Sequence, residues 1–267
     1  MKNSKINIKL KQKLEELYSL YNKREFVHPD PLEFLYHYDD IRDREVVAII
    51  ASSLAYGRVA QILKSISIVL DIMTPSPYDY IMEKTEKGLR SAFSGFKHRF
   101  TTGDDMSSLL MAVKKMIKSN GSLLNAFVTG YRKTDENILP SLSMFAKRLI
   151  HESGGAKNSL IPVPDRGSAC KRLNLFLRWM VRKDAVDPGG WEIIHPSKLI
   201  IPLDTHMYNI GCTLKMTMHK QAGMPAAIQI TNAFKRIMPL DPVKYDFSLT
   251  RPGIRREGDP AMFLGSI

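Results

Sequence analysis

The chain is poor in cysteine, in strand signals and in long apolar runs, and each shortage removes a class of protein. Two cysteines, Cys170 and Cys212, among 267 residues cannot build a disulfide framework, so a reducing compartment is expected. They also fall short of a four-cysteine zinc or iron–sulfur site. His195, His206 and His219 show no metal spacing such as H-E-x-x-H, so no metal or other cofactor is expected. No window approaches the roughly eighteen apolar residues of a membrane span. The opening stretch "MKNSKINIKLKQKLEELY" lacks the apolar core of a signal peptide, which points to the cytoplasm. No run alternates with period two between hairpin turns, and neither an internal repeat nor a low-complexity linker is present.

What is present is an ordinary folded composition, 44% apolar and 25% charged, with a strong basic excess. Lys and Arg number 39 against 27 Asp and Glu, a net charge of +12. Such an excess concentrates polyanions near the surface and favours nucleic acid as partner.

Apolar residues recur with a helical period along most of the chain, which predicts an all-α fold. Leu10, Leu14, Leu17, Tyr18 and Tyr21 form one stripe. "DREVVAIIASSLAYGRVAQILKSISIVL" opens at a capping Asp43 and is apolar almost all round to Ala55, as suits a central buried helix. "DDMSSLLMAVKKMIKSNG" has a capping Asp and stops at Asn120-Gly121. "ILPSLSMFAKRLIHESGG" has Pro140 in its first turn and Gly154-Gly155 as its stop. Turn-rich breaks fall near 25–31, 74–79, 84–105, 153–168 and 183–198.

The fourth break carries the chemistry. Pro162, Pro164, Asp165 and Gly167 force an irregular loop, and a helix is expected from about Ser168. In "KRLNLFLRWMVRKD", Leu173, Phe176, Leu177 and Met180 face the core, while Lys171, Arg178 and Arg182 share the opposite stripe. That stripe is either a solvated cationic face or one that meets a polyanion. A glycine-containing turn entering a helix points unpaired N–H groups outward, which suits a DNA phosphate held without sequence preference. The same helix end disfavours an ammonium, which would help Lys171 act as a nucleophilic amine.

A second helix start lies 33 residues on, in "LIIPLDTHMYNIG", where Asp204 is placed as an N-cap. A carboxylate there stays ionised, a stationary negative charge fit for a cationic transition state such as cleavage of an N-glycosidic bond.

These residues resemble the helix-hairpin-helix DNA glycosylase superfamily, nearest its archaeal-type 8-oxoguanine branch. "IPLDTHMYNI" is similar to the V-D-T-H segment, which implies a catalytic Asp204. "PDRGSACKRLNLFL" is similar to the hairpin and following helix, which implies Lys171 as nucleophile and Gly167, Ser168, Arg172 and Arg178 as DNA contacts. "REVVAIIASSLAYGRVAQILKSI" resembles the early core helix and the loop that enters the duplex, which implies Tyr56 or Arg58 as wedge. The hairpin departs from the pattern in lacking G-x-G, and the Lys171–Asp204 spacing is longer than most of the superfamily has. The whole chain also resembles an uncharacterised conserved bacterial family.

The glycosylase resemblance implies two helical lobes, 41–189 with the hairpin and 1–40 plus 190–267 with Asp204, around an active-site cleft. It implies a monomeric, nucleoid-associated enzyme on double-stranded DNA. A damaged base, an oxidised purine first, is flipped out, and Schiff-base chemistry on Lys171 ends in strand nicking. The alternatives are a DNA-binding protein without chemistry and a glycosylase using an Asp204-activated water.

Four features remain. "FSGFKHRF", residues 93–100, reads first as a loop tucking phenylalanines into the core and second as aromatic and basic interleaving for nucleic acid. "TRPGIRREGD" offers Arg251 and Arg255 as phosphate contacts, or a solvated tail. Trp179 reads as core, whereas Trp191, after Gly189-Gly190, is the candidate wall of a base pocket. His206 reads as a local hydrogen-bonding residue, with pocket lining as its other role.

Overall fold

Short polar side chains and glycines set where the helices of this chain begin and end. The computed structural model describes residues 2–155 and 158–255, with side chains except those of 2–7, 166, 254 and 255. In chain order the α-helices are α1 (Lys2–Tyr21), α2 (Ile41–Leu54), α3 (Val59–Ile72), α4 (Pro77–Glu83), α5 (Glu86–Ala92) and α6 (Gly103–Asn120). They continue as α7 (Leu123–Val128), α8 (Leu139–Glu152), α9 (Lys171–Val181), α10 (Thr205–Thr213), α11 (Met224–Ile237) and α12 (Asp246–Arg255). The only strands among the described residues are β1 (Lys97–His98) and β2 (Thr101–Thr102), an antiparallel hairpin. The fold is therefore all-α. No single helix among the described residues is long and apolar enough to cross a membrane.

The chain divides into two compact units, 28–165 and 1–27 with 166–267. In the first, α2 is buried at every position from Glu45 to Leu54, as its all-round apolar pattern predicts. Its cap is Asp40, whose carboxylate accepts the Arg42 N–H at 2.8 Å. Asp43 instead accepts from the Ser76 hydroxyl and the Tyr78 N–H, at 2.7 and 2.8 Å, and so anchors the start of α4. Glu45 does the same for α7: its two carboxylate oxygens accept the Leu123 and Leu124 N–H groups at 2.9 and 3.0 Å. A buried carboxylate thus satisfies two amides that open a helix without a partner of their own. Thr102 and Asp105 cap α6 reciprocally, and Gly121, at φ +88°, ends it. The expected break at 84–105 contains α5, whose internal Gly88 weakens its helical pattern, and then the hairpin.

The other unit places α9 on the same body as Asp204, unlike the expected lobe boundary at 189/190. The reason is a buried ionic network. Arg178, expected among the DNA contacts, and Arg182, on the same expected cationic stripe, are both withdrawn from solvent. Arg178 donates to Asp187 at 3.1 Å and to Asp246, the first residue of α12. Arg182 pairs with Asp187, with Asp184 at 2.9 Å and with Asp241 at 3.0 Å. Asp184 in turn folds the turn beneath α9 by accepting the Val186 and Asp187 N–H groups, each at 2.8 Å. The network reaches α1 through the Tyr18 hydroxyl, which donates to Asp184 at 3.0 Å. Lys244 and Tyr245 then tie Glu15 of α1 at 2.7 and 2.6 Å.

Four carboxylates around two guanidiniums leave protons to be shared. Burial, resisted by Arg178 and assisted by the charges of Asp204 and Asp187, pushes the Asp246 carboxyl up to about 6 from its ordinary 3.8. Burial likewise raises Asp187 against the pull of Arg178 and Arg182. Asp184 moves the opposite way: burial opposes its charge, but Arg182 and the backbone bonds hold it below its ordinary value.

Two outcomes follow. Glu45→Ala strands two buried N–H groups and should cost about 3 kcal/mol in a urea titration, whereas Glu45→Gln, which keeps one acceptor, should cost about half as much. Because the folded Asp246 binds its proton more tightly than the unfolded chain does, folding takes up a proton between about pH 4 and pH 6. Its contribution to stability therefore falls as pH rises through that window, by about 2–3 kcal/mol. Unfolding free energies across pH 4–7 should show that decline, and Asp246→Asn should remove it.

Candidate functional site

The loop before α9 is docked by backbone contacts rather than by a glycine-rich hairpin. Gly167, at φ +79°, faces open space, and its carbonyl accepts the Met224 N–H at 3.2 Å. Ser168 is exposed and forms an isolated bridge with Gly223, so the loop lies on the start of α11. A side chain at Gly223 would put its Cβ 3.0 Å from the Gly167 carbonyl oxygen, a contact tight enough that the loop would have to give by a few tenths of an ångström. The Ser168 hydroxyl accepts the Cys170 N–H at 3.1 Å. Cys170 is buried in the left-handed region, φ 47° and ψ 39°, a conformation that costs a non-glycine residue about 1–2 kcal/mol. Helix α9 begins at Lys171, three residues after the expected start, and no side chain caps it.

Asp204 is the N-cap of α10, and its two oxygens have separate tasks. Oδ1 accepts the Met207 N–H at 2.8 Å. Oδ2 lies 3.6 Å from Lys171 Nζ. That separation makes an ion pair but exceeds a good hydrogen bond, so the amine is beside the acid without being locked to it. The Lys171 side chain is 35% exposed and that of Asp204 21% exposed. The two helix starts bring together an amine and a carboxylate, both reachable from solvent.

The other expected site residues divide sharply. Arg172, beside Lys171, is half-buried. Arg178 is a core residue, and both arginines of the stripe read as solvated or as facing a polyanion belong to an internal ion network, while Lys171 does not. Arg251 is likewise buried, with its guanidinium 4.3 Å from the Phe247 ring centre and donating to the Val27 carbonyl, so it does not serve as a phosphate contact. The side chain of Arg255 lies outside the described residues. Trp191 is fully buried and packs edge-on against Phe176 at 5.1 Å, which makes it core rather than the wall of an open pocket. His206 is exposed, and its ring lies over α12, where a Cβ added to Gly253 would stand 3.3 Å from Nδ1.

Tyr56 and Arg58 belong to the other unit. Tyr56 is half-buried and its hydroxyl is fixed by the His98 carbonyl at 3.0 Å and the Thr101 hydroxyl at 2.6 Å. Such a ring cannot leave the surface to enter a duplex. Arg58 is exposed at the start of α3.

Asp246 and Asp187 had no motif to mark them. The available signal was on α9 itself, where the apolar Trp179 and Val181 flank the supposed polar stripe on both sides. Among the described residues, no three His, Cys, Asp or Glu side chains stand together as a metal site.

One family model matches the chain, over residues 30–255, with the description "Protein of unknown function (DUF2400)". No curated protein and no solved structure matches it. No glycosylase family matches either, and this overturns the helix-hairpin-helix glycosylase resemblance. The three short segments that carried it are helix starts and a buried helix, whose local chemistry is common to unrelated folds. Since the match spans most of its length, the chain belongs to the DUF2400 family.

Proposed function

We propose that this protein cleaves the N-glycosidic bond of a damaged nucleotide in DNA and then the strand, with Lys171 as nucleophile and Asp204 as the fixed counter-charge. The observation that carries this reading is the pair itself: an amine 3.6 Å from a carboxylate oxygen, both partly exposed, each at the start of its own helix. The +12 charge supports a polyanionic substrate.

In the reaction, the ammonium of Lys171 first releases a proton. As the bond from C1′ to the base breaks, its electrons leave with the base, which takes up a proton. The amine nitrogen bonds to C1′; the C1′–O4′ bond then breaks, one of the amine protons passes to O4′, and the opened sugar is left as a protonated Schiff base. Loss of a C2′ proton then expels the 3′ phosphate, and water finally hydrolyses the Schiff base to free Lys171. Asp204 Oδ2 faces the positive charge that develops on the sugar, while Oδ1 keeps the carboxylate in place through Met207.

The decisive measurement is borohydride trapping on duplexes carrying 8-oxoguanine, uracil or an abasic site. The native chain should give a covalent adduct, and Lys171→Ala should give none. Asp204→Asn preserves the helix cap, since Asn caps as well as Asp, and should slow adduct formation by about a hundredfold or more. No adduct on any of these duplexes, or an adduct that survives Lys171→Ala, would overturn the reading.

A further inference from the structure

The hairpin of the 28–165 unit presents an aromatic ring outward on a support that is rigid and internally hydrogen-bonded. Phe93 and Phe96 of "FSGFKHRF" are buried, but Phe100 is 64% exposed. It stacks on Tyr56, with ring centres 5.2 Å apart and planes inclined by 29°. Beneath them His98 is fully buried, its Nδ1 2.9 Å from the Ser65 hydroxyl and its Nε2 3.0 Å from the Tyr56 carbonyl. The Tyr56 hydroxyl meets Thr101, which continues to Ser159 at 2.6 Å. Arg99 turns the hairpin in the left-handed region, at φ 54°, and its side chain crosses Gly57 so closely that a Cβ there would lie 2.9 Å from Arg99 Cδ. Its guanidinium stands 5.9 Å from the Tyr56 ring centre.

This arrangement spends a strained residue and a buried polar network on displaying a phenylalanine to water. Burying Phe100 would need no such support. Lys97, Arg99 and Arg58 are exposed around the α2–α3 turn and the hairpin, and none forms an ion pair among the described residues. The nearest acids in sequence are already engaged: Asp105 caps α6, and Asp104 pairs with Arg90 at 2.9 Å.

We infer that this hairpin tip is a stacking platform for an unpaired base of a nucleic-acid strand, with Phe100 receiving the base and Lys97, Arg99 and Arg58 holding the flanking phosphates. A ring with one face on Tyr56 and most of its surface exposed offers the opposite face for stacking. Cations within reach of the same tip match the charge of the backbone on either side. A lipid surface would also attract cations and an aromatic, but it favours a broad apolar face over one ring braced flat against another. The inference rests on the hairpin and its charges, not on Lys171 and Asp204.

The test is fluorescence anisotropy with a labelled oligothymidylate at low salt. Phe100→Ala should weaken binding about tenfold and Phe100→Tyr should restore it. Arg99→Ala should lower the slope of log affinity against log salt by about one. Phe100 is exposed, so thermal melting of these variants should match the native chain. Phe100→Trp adds a direct reporter, because Trp179 and Trp191 are both buried. Its emission should be quenched by the oligonucleotide and unaffected by vesicles rich in phosphatidylserine. No binding by the native chain, native affinity in Phe100→Ala, or a response of Phe100→Trp to vesicles alone would each overturn the proposal. Borohydride trapping reads the Lys171 amine and oligothymidylate binding reads the Phe100 ring, so a native chain that traps without binding oligothymidylate, or binds without trapping, tells the two proposals apart.

Discussion

Two guanidinium groups removed from water hold the unit that carries the candidate site. Arg178 on α9 and Arg182, the residue that caps its C-terminus, are met by Asp184, Asp187, Asp241 and Asp246. Ion pairs this deep contribute little net stability over apolar packing, because desolvation offsets most of the attraction. What they impose is position. Each guanidinium presents a planar fork, and each is answered from more than one segment, so α9 can neither rotate nor slide without stranding a buried charge. Lys171 sits at the other end of that helix. Its approach to Asp204 is fixed by contacts two and three turns away.

The same network links charge at the site to charge in the core. Asp204 is one of the groups that disfavour ionisation of Asp246, so a proton on the buried acid and the charge of the capping acid are coupled. A positive charge brought next to Asp204 offsets part of that repulsion. The cap of α10 is therefore an electrostatic neighbour of the network that positions α9, as well as the partner of its first residue.

Legibility in the sequence followed the range of the interaction. Helix ends were readable because a cap acts over three residues: Pro140, Gly121 and Asp204 stand where they were expected. Asp43 was placed one role away from its task, since its partners Ser76 and Tyr78 are more than thirty residues distant. Lys171 and Asp204 were legible for the same local reason, each marking a helix start. The burial of the arginines is not legible, because a stripe at helical spacing tells which residues share a face and not what covers it. Asp246 is 68 residues from Arg178, and nothing local to either announces the other. Phe100 was grouped with Phe93 and Phe96 by composition, yet the hairpin reverses the chain at Arg99 and turns this one ring outward.

The burial of those arginines changes what the basic excess means. Arg178 and Arg182 do not face a polyanion, but neither do their four carboxylates. Taken together the cluster is formally negative, so the rest of the chain is more basic than the +12 total implies. The exposed positive charge therefore lies on side chains other than the α9 arginines. Lys97 and Arg99 belong to that set, and they flank a ring that the fold holds open to solvent. A basic surface draws a strand close without choosing an orientation. On the proposed platform, a braced aromatic beside it would supply the direction that charge alone lacks.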